Sequence, residues 1–342
     1  MLVTHDLIRG LKKIKKNEPF QRFTNSYLKL FGSINLKSLI FYMSLFNSII
    51  TSILPIMPKW FAKPFARPYV AGKTEDDAVT HIRTLNEKGF SATVDILGEH
   101  VLTKEEARDI TAQYCHLYDR INTESLNCNL SIKPTHVGLD ISLAEAMANF
   151  TNLTKKAQEH ENFLRIDMEN SPFTNQTFEI YQHCKTIYNN VGVVIQSYLH
   201  RSLNDINHLA NGQFNSRICK GIYRESESIA YQGREEIKEN YLNLSKAMAV
   251  QKAYSGFATH DQDLIDQLLH WIESENISKD LFEFQVLYGV PMEGRLEALL
   301  EAGYKVRVYV PYGPDWFDYS VRRLKENPKI ISYVLKNFFR KR

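Results

Sequence analysis

The sequence predicts an α/β protein built as a (βα)8 barrel of the TIM type, with an N-terminal helical extension and a C-terminal helix. From Ser91 onwards, short apolar runs alternate with longer stretches of helical periodicity, which is typical of repeated βα units and a parallel sheet. Such alternation over roughly 240 residues indicates a complete barrel. The eight predicted strands are residues 91–97, 129–134, 163–167, 191–196, 216–221, 256–259, 282–287 and 305–310.

Helices are predicted between these strands. The first begins at Thr103, where the sequence Thr-Lys-Glu-Glu indicates a capping box, and continues to Arg120. Residues 143–160 form a second helix candidate. Residues 1–75 show no strand-helix alternation and are predicted to form a helical region on or near the barrel. We therefore predict three parts: this N-terminal region, a barrel over residues 76–328, and a basic amphipathic helix over residues 329–342.

Two apolar stretches raise the question of membrane contact. Residues 39–57 are apolar, but polar residues interrupt them and Pro55 and Pro58 close the run, which favours a packed helix over a spanning one. In the C-terminal tail, apolar residues recur at helical spacing among lysines and arginines. That pattern fits a helix on a membrane surface, and it fits equally a helix docked on its own barrel. The apolar residues of the tail are Ile330, Ile331, Val334, Leu335, Phe338 and Phe339.

The composition argues against several other classes of protein. The net charge is only +3 over 342 residues and no recognition motif accompanies the basic residues, so no nucleic-acid partner is expected. The four cysteines include no Cys-x-x-Cys pair, so we predict neither a metal site nor a disulfide framework, and we expect a reducing compartment. Glycine-rich nucleotide-binding motifs are absent from the sequence, so a nucleotide cofactor would need another kind of binding site.

Polar residues end or follow six of the predicted strands. In a (βα)8 barrel, the active site lies at the C-terminal ends of the strands. One charged residue at a strand end can simply mark where the strand meets solvent, but six cases at one rim favour a functional site. The six residues are Lys133, Asp167, Gln196, Lys220, His260 and Tyr309.

The segment after the last predicted strand has the features of a carboxylate-binding site. If residues 316–326 are helical, Tyr319, Arg322, Arg323 and Glu326 project from one face. Adjacent guanidinium groups repel each other, and a carboxylate bound by both would neutralise them. The alternative is a solvated arginine pair on a surface helix, which the surrounding aromatic residues disfavour. The segment is Tyr309-Val-Pro-Tyr-Gly-Pro-Asp-Trp-Phe-Asp-Tyr-Ser-Val-Arg-Arg-Leu-Lys-Glu-Asn-Pro328.

This segment resembles the signature of the proline dehydrogenase family, flavoenzymes that oxidise L-proline to 1-pyrroline-5-carboxylate. Seven further segments resemble the strand-end motifs of that family and occur in the same order. They are Thr93-Val-Asp-Ile-Leu-Gly-Glu99, Ser131-Ile-Lys-Pro-Thr135, Leu164-Arg-Ile-Asp-Met-Glu169, Val194-Ile-Gln-Ser-Tyr198, Arg217-Ile-Cys-Lys-Gly-Ile-Tyr223, Phe257-Ala-Thr-His-Asp261 and Phe282-Glu-Phe-Gln-Val-Leu-Tyr-Gly289.

The resemblance implies FAD as the cofactor, bound at the strand ends. A redox cofactor is required because no protein side chain accepts a hydride. Arg217 would place its charge beside the flavin N5 and N1–C2 edge, although taken alone it could be a salt bridge at the barrel rim. Asp261 stands where the family often has asparagine, and a carboxylate there provides fewer donors to an anionic cofactor. The other implied cofactor contacts are Met168, Gln196, Lys220, Gly221, Ile222, Thr259 and His260.

The resemblance also implies how the substrate carboxylate is bound. Arg322 and Arg323 would bind it together with Lys133, and Glu99 and Asp167 would pair with these cations and hold them in place. Asp167 would in addition act in catalysis by setting the electrostatics of the amine, and a purely structural ion pair is the alternative.

The ring of the substrate would lie against Tyr309, Tyr319 and Leu287. A bulky residue at the position of Tyr309 limits the space near the ring carbon that carries the hydroxyl group of 4-hydroxyproline. Proline should therefore be preferred over hydroxyproline.

The implied electron acceptor is a membrane quinone. We therefore expect a cytoplasmic enzyme with peripheral contact to the inner face of a respiratory membrane. The sequence ends soon after Pro328, so the aldehyde dehydrogenase domain of bifunctional relatives is not expected. The product would pass to a separate pyrroline-5-carboxylate (glutamate-semialdehyde) dehydrogenase.

Three alternatives to this function stay open at the level of sequence. The first is a hydroxyproline dehydrogenase on the same barrel. The second is a Schiff-base lyase that uses Lys133 or Lys220, which requires a lysine of lowered pKa. The third is a non-catalytic, membrane-associated binding protein, which the intact set of charged strand-end residues disfavours.

Overall fold

The computed structural model describes residues 69–326, which fall into two compact units. Tyr69–Trp316 forms one unit, and the described residues from Phe317 onwards belong to the other. The predicted N-terminal region up to residue 68, including the apolar run at 39–57, and the predicted tail helix at 329–342 lie outside the described residues. Among the residues that are described, no helix is both long and apolar enough to cross a membrane.

The first unit contains eight parallel strands that form a closed barrel. Each strand pairs with the next one in sequence, and β8 pairs with β1 to close the ring. The prediction of a (βα)8 barrel is therefore confirmed. The strands are β1 (Ser91–Ile96), β2 (Cys128–Ile132), β3 (Leu164–Ile166), β4 (Val191–Gln196), β5 (Asn215–Cys219), β6 (Tyr254–Ala258), β7 (Phe282–Leu287) and β8 (Val306–Tyr312).

Helices precede the barrel and connect its strands. The predicted cap at Thr103 is present, because its side chain accepts a hydrogen bond from the backbone of Glu106. The helices are α1 (Glu75–Glu87), α2 (Lys104–Thr123), α3 (Leu143–Glu159), α4 (Thr174–Ile187), α5 (Ser202–Leu209), α6 (Arg234–Val250), α7 (Gln262–Ser274), α8 (Arg295–Glu301) and α9 (Trp316–Glu326). Short 3-10 helices occupy Pro134–Val137, Ser171–Phe173 and Lys279–Leu281.

The predicted element boundaries agree with the structure to within two residues at most ends. β4 and β7 match the prediction at both ends, as does α9. β2 ends at Ile132, before the predicted Pro134, because that proline begins a 3-10 helix. β8 extends to Tyr312, two residues beyond its predicted end, because Ile96 and Tyr312 remain in register at the edge of the ladder.

The strands place apolar and polar residues on opposite faces. In β7, the apolar residues Phe282, Phe284 and Val286 alternate with Glu283 and Gln285, and all five are buried. Side chains of the polar set meet across the barrel: Arg217 of β5 donates to Ser131 of β2. The apolar set therefore faces the surrounding helices, and the barrel interior is largely polar.

Two arginines, the buried Arg165 and the half-buried Arg307, are bound within this polar interior. Arg307 donates through Nε to Glu283 at 2.6 Å and through Nη1 to Asn129 at 2.7 Å. Burial alone would raise the pKa of Glu283, but Arg307 lowers it below its ordinary value. Arg165 donates to the side chain and the backbone carbonyl of Asn215, and burial lowers its pKa to about 9. These contacts supply the partners that buried charges require.

Candidate active site

The functional residues predicted within the barrel lie at or beside the C-terminal ends of its strands. Two of these residues lie within strands, Arg217 in β5 and Tyr309 in β8, and two end strands, Gln196 in β4 and Leu287 in β7. The others follow strands: Lys133 follows β2, Asp167 and Met168 follow β3, Lys220, Gly221 and Ile222 follow β5, and Thr259 and His260 follow β6. The parallel sheet brings these residues to one end of the barrel, as the fold predicts.

Arg217 and Asp167 form the first part of a buried network. Arg217 Nη1 donates to Asp167 Oδ1 at 2.8 Å, and both residues are less than a tenth exposed. Ser131 Oγ donates to the same carboxylate oxygen at 2.5 Å and accepts from Arg217 Nη2 at 3.2 Å. Gln285 Oε1 accepts from Arg217 Nε at 2.8 Å. Residues of three other strand regions therefore fix the plane of the guanidinium group.

Asp95, Lys133 and Tyr309 form the second part of the network. Lys133 Nζ and the hydroxyl of Tyr309 each donate to Asp95 Oδ2 at 2.7 Å. Asp95 lies in β1, between the strands that carry its two donors, and is 1% exposed. This carboxylate therefore determines where an ammonium group and a phenol lie at the strand ends.

Tyr309 connects the two parts of the network. Its hydroxyl also lies 3.3 Å from Asp167 Oδ2, and the guanidinium carbon of Arg217 lies 5.1 Å from the centre of its ring. The second contact is a cation–π interaction. Two carboxylates and two cations are thus joined around one phenol, which makes the group electrically balanced as well as hydrogen-bonded.

Burial and charge both act on the protonation of these groups. Burial raises the pKa of Asp95 above its ordinary value, although Lys133 opposes the shift. Burial alone would lower the pKa of Lys133, but Asp95 and Asp167 raise it. Burial and the neighbouring carboxylates raise the pKa of Tyr309 well above its ordinary range. The ammonium group of Lys133 is therefore strongly held in its charged form.

The charge on Lys133 argues against Schiff-base chemistry at this residue. A lysine that attacks a carbonyl must be neutral, which requires a lowered pKa. The pKa of Lys133 moves in the opposite direction. Lys220, the other lysine considered, lies in an ion pair with Asp261. Neither environment favours an amine nucleophile.

Further hydrogen bonds surround the network, and one of them supports Asp95. The hydroxyl of Tyr114, from α2, donates to Asp95 Oδ1 at 3.0 Å. Glu169 accepts from the backbone and hydroxyl of Thr135 at 2.9 and 2.6 Å. The amide of Gln196 donates to the backbone carbonyl of Glu169 at 2.8 Å. The loops after β2 and β3 are thereby tied to the end of β4.

The residues predicted to contact a cofactor lie along the ends of β3 to β6. Lys220 Nζ donates to Asp261 Oδ2 at 2.5 Å, and Thr259 Oγ1 accepts from the backbone of Asp261 at 3.1 Å. His260 Nε2 lies 2.9 Å from the backbone nitrogen of Leu287, which donates to it. Met168 is buried after β3. This set presents one ion pair and several fixed polar groups.

The chain after β5 brings backbone and apolar surface to the same rim. Gly221 has φ +103°, and a Cβ there would lie 2.2 Å from the ring of Tyr198, so only glycine fits this turn. The next residue, Ile222, is 59% exposed. The exposed isoleucine offers apolar surface for a ligand at this rim.

The predicted carboxylate-binding residues of α9 belong to the second unit. Its helical prediction is confirmed, and Arg323 lies over the ring of Tyr319, with 5.3 Å between the guanidinium carbon and the ring centre. Tyr319 is buried and Arg323 is half-buried. Arg322 lies in the same helix, and its side chain is outside the described residues.

The structure shows ion pairs for Asp167 and Lys133. Asp167 pairs with Arg217, and Lys133 pairs with Asp95, because β1 lies next to β2 and brings Asp95 within reach of Lys133. The expected pairing of Glu99 and Asp167 with Arg322 and Arg323 stays a prediction. Glu99 lies half-buried in the loop after β1, and its role stays a prediction.

Sequence reasoning missed three residues of the network, Asp95, Ser131 and Gln285, and also Tyr114, which contacts the network from α2. Asp95 could have been found, because a carboxylate inside an apolar strand must have a partner when it is buried. Gln285 has the same signal in β7. Tyr114 has no distinctive signal, because a tyrosine on the apolar face of an amphipathic helix is most often a core residue.

A separate cluster at the surface offers potential metal ligands. Within the described residues, Asp119, Glu159 and His160 place ligand atoms within 4.8 Å of one another. Lys156 Nζ lies 2.6 Å from Asp119 and 3.1 Å from Glu159, so an ammonium already balances both carboxylates. The cluster is explained as a surface salt-bridge network.

A closed (βα)8 barrel with buried cations and carboxylates at its strand ends has the architecture of a TIM-barrel enzyme. The sequence profile described as "Proline dehydrogenase" matches residues 78–335. The chain belongs to the proline dehydrogenase family and is an oxidoreductase of that class.

Named relatives agree with this assignment. Proline dehydrogenase 1 of Bacillus subtilis (strain 168) is 36% identical over 286 residues, which cover 82% of this chain and 94% of that protein. Proline dehydrogenase 2 of the same strain is 35% identical over 282 residues, covering 82% and 93%. Proline dehydrogenase of Deinococcus radiodurans is 31% identical over 284 residues, covering 80% and 90%.

A comparison with solved structures supports the fold. Proline utilization A from Bdellovibrio bacteriovorus superposes with a TM-score of 0.74 at 21% identity, covering 95% of this chain and 41% of that chain. A variant of proline utilization A from Bradyrhizobium japonicum gives a TM-score of 0.65 at 20% identity, covering 76% and 30%. This chain therefore spans less than half the length of these two proteins.

Proposed function

We propose that this protein oxidises L-proline to 1-pyrroline-5-carboxylate with FAD as its cofactor and passes the electrons to a membrane quinone. The observation that carries the proposal is the network of Lys133, Asp95, Tyr309, Asp167 and Arg217, which lies at the strand ends of a barrel from the proline dehydrogenase family. FAD, when bound, would supply the hydride acceptor that oxidation of the substrate carbon beside nitrogen requires.

The chemistry of the strand-end residues fits FAD. FAD carries negative charge on its phosphates and on its reduced ring, and Lys220, after β5, and Arg217, in β5, provide cations on that side of the barrel. The flavin ring needs apolar surface, which the exposed Ile222 offers, and Gly221 permits the turn against Tyr198 that precedes it. We propose that these four residues hold the cofactor together with Met168, Gln196, Thr259 and His260.

Arg217 is proposed to act on the charge of the cofactor. Its guanidinium group is buried and held in one plane by Asp167, Ser131 and Gln285. A fixed cation favours negative charge that develops beside it, and burial strengthens the effect. Asp167 holds this cation in place, and its action on the electrostatics of the amine stays part of the proposal.

Lys133 is proposed to bind the carboxylate of the substrate. An ammonium group has three donor protons, so the hydrogen bond to Asp95 leaves others for an anion. Arg322 and Arg323 remain the other proposed carboxylate ligands, on the strength of the sequence motif. Tyr309, Tyr319 and Leu287 are proposed to lie against the ring, with Glu99 as a partner of the binding cations.

No residue of the network is assigned as a base for the amine. Asp95 and Asp167 are each held by a cation and by hydroxyl groups of the barrel, so neither carboxylate is assigned to the amine. We propose that proline reacts with its nitrogen deprotonated. The rate should therefore rise with pH as the free amine becomes available.

The proposal is tested by the visible absorption spectrum of the purified protein under anaerobic conditions. A flavin band that bleaches on addition of L-proline, and less on addition of 4-hydroxyproline, is the expected result. A band that does not bleach with proline would refute the substrate. Absence of flavin after reconstitution with FAD would refute the cofactor.

The acceptor and the membrane contact are proposed from the family resemblance. Reduced enzyme should be reoxidised by a short-chain ubiquinone analogue faster than by dissolved oxygen. Protein that ends at Pro328 should bind anionic liposomes more weakly than the full chain if the tail attaches to the membrane. Equal binding would favour the alternative, a tail helix docked on its own barrel.

A further inference from the structure

Asp95 connects two residues that the proposed function assigns to the substrate. We infer that Asp95, oriented by Tyr114, is a positioning residue that holds Lys133 and Tyr309 in the geometry that binds substrate. This inference rests on the proposed function, because that function gives Lys133 and Tyr309 their tasks. It adds a role for two residues, one in β1 and one in α2, that the sequence motifs do not assign.

The first argument is the convergence of three donors on one carboxylate. Oδ2 of Asp95 accepts from Lys133 Nζ and from the hydroxyl of Tyr309, both at 2.7 Å. Oδ1 accepts from the hydroxyl of Tyr114 at 3.0 Å. Charge-assisted hydrogen bonds of this length are among the stronger ones in proteins. A shift of this carboxylate would move both substrate-binding groups together.

The second argument is the place of Asp95 in the barrel. β1 lies between β2 and β8, and Asp95 is aligned with Pro311 at the end of β8. Lys133 follows β2 and Tyr309 lies in β8, so their backbones are on opposite sides of Asp95. A carboxylate at this position in β1 can therefore contact both Lys133 and Tyr309.

The third argument is the rigid support that Tyr114 gives to the carboxylate. Its side chain is fully buried, and the ring packs edge-on against His136 with 5.9 Å between ring centres. The hydroxyl also lies 3.3 Å from Ile96 O and from His136 Nδ1, and Asp95 is its nearest acceptor. Because Tyr114 is held by packing, its hydrogen bond fixes the rotation of the Asp95 carboxylate.

The fourth argument is electrostatic. A buried ammonium without a partner is strongly unfavourable, so Lys133 requires a nearby carboxylate before substrate arrives. Asp95 provides it while using one of the three ammonium protons. If the carboxylate were lost, Lys133 would turn to another acceptor such as Asp167, which lies across the hydroxyl of Tyr309. The carboxylate-binding group would then be displaced.

The test compares Asp95→Asn, Tyr114→Phe and a matched control. Asparagine keeps the shape of Asp95 but removes its charge, and Tyr114→Phe removes only the supporting hydroxyl. The control is Tyr118→Phe in the same helix, because Tyr118 is also fully buried and its hydroxyl donates to the backbone carbonyl of Phe163 at 3.2 Å, outside the network. Each tyrosine variant therefore loses one buried hydroxyl, and that of Tyr114 contacts Ile96 and His136 in addition to Asp95.

The principal readout is the binding of a proline analogue that has a ring oxygen in place of the amine and cannot be oxidised in the same way. Its dissociation constant is measured on the FAD-loaded protein from the change in the flavin spectrum. We expect Asp95→Asn to weaken binding by about tenfold or more, and Tyr114→Phe by about threefold. Tyr118→Phe should bind like the wild type. The KM for proline should follow the same order, with smaller changes in kcat.

The outcomes separate this inference from the proposed function. Wild-type protein that is not bleached by proline would refute the proposed function. If proline bleaches the flavin of the wild type but Asp95→Asn binds the analogue as tightly as the wild type does, the inference is overturned and the proposed function stands. If Asp95→Asn does not fold, Tyr114→Phe decides: equal effects of Tyr114→Phe and Tyr118→Phe would show a structural contribution only and would overturn the inference.

Discussion

Lys220 and Asp261 form an ion pair at the ends of β5 and β6, with 2.5 Å between Nζ and Oδ2. Burial alone would raise the pKa of Asp261, but Lys220 and the backbone of Leu264 lower it below its ordinary value. The other oxygen of Asp261 accepts from Leu264 N at 3.4 Å and caps α7. Asp261 thus gives Lys220 a competing partner.

We predict that Asp261→Asn binds FAD more tightly, by about threefold to tenfold. The substitution frees the ammonium of Lys220 to interact with a phosphate and removes a negative charge near an anion. Asparagine is also a good helix cap, so α7 should persist. The dissociation constant is measured by quenching of FAD fluorescence.

The control for this prediction is Asp263→Asn. Asp263 lies two residues after Asp261, and its exposed carboxylate forms an ion pair with Lys238 at 2.9 Å. This variant should bind FAD like the wild type. Equal or weaker FAD binding by Asp261→Asn than by the control would contradict the proposed contact of Lys220 with the cofactor.

The second prediction concerns the ring of Tyr309. Tyr309→Ser removes the bulk beside the substrate ring and should lower proline turnover while relaxing the preference for proline over 4-hydroxyproline. Tyr309→Phe keeps the ring but loses the hydrogen bonds to Asp95 and Asp167, so it should keep the preference and bind proline several-fold more weakly. The ratio of kcat/KM for the two substrates measures the preference. An unchanged ratio in Tyr309→Ser would refute the steric assignment.

The third prediction concerns the space that Gly256 leaves for Gln285. A Cβ at position 256 would lie 2.3 Å from Nε2 of Gln285, whose amide contacts both Arg217 and Glu283. Gly256→Ala should displace this amide, destabilise the protein by about 1–3 kcal/mol and lower proline turnover. Urea unfolding and steady-state kinetics measure the two effects.

Gly212→Ala is the matched control for that substitution. No heavy atom lies within 4 Å of a Cβ placed at position 212. This variant should be as stable as the wild type or slightly more stable, by about 0.4–1 kcal/mol, and equally active. Gly256→Ala with the stability and activity of Gly212→Ala would show that Gln285 does not hold Arg217 in a required position.

The fourth prediction concerns the pH dependence of stability. Burial, together with nearby Lys133, lowers the pKa of His136 to about 3. Between about pH 6.5 and 3 the unfolded chain therefore binds a proton at this residue that the folded protein does not, so stability falls as the pH falls. Between pH 7 and 4.5, the free energy of unfolding of His136→Gln should fall by about 2–3 kcal/mol less than that of the wild type.

Urea unfolding at the two pH values provides the measurement. His208→Gln, at an exposed histidine, is the control and should lose as much stability as the wild type. The same loss in His136→Gln and in the wild type would show that His136 is not the source of the pH dependence.

Much of the architecture followed from local patterns in the sequence. The alternation of apolar runs with helical periodicity predicted all eight strands, and β4 and β7 matched at both ends. The polar residues at the strand ends indicated which end of the barrel carries the site. These features could be predicted because backbone geometry and solvent exposure repeat at fixed spacings along the chain.

The charged interior of the barrel was harder to predict. Arg165, Glu283 and Arg307 were visible in apolar strands, but their spacing does not indicate which of them are partners. The same holds for Arg217, which contacts Asp167 at a separation of 50 residues and Gln285 at 68. Contacts across a barrel depend on strand order and register, which no local pattern contains.

The sequence by itself determined the class of fold, the rim that carries the functional residues and the family to which the chain belongs. Only the tertiary structure decided that Asp95 holds Lys133 and Tyr309, that Tyr114 supports Asp95, and that Asp167 pairs with Arg217. The physical reason is that a buried charge pairs with the nearest group of opposite charge. Which group is nearest is decided only when the strands assemble into the closed barrel.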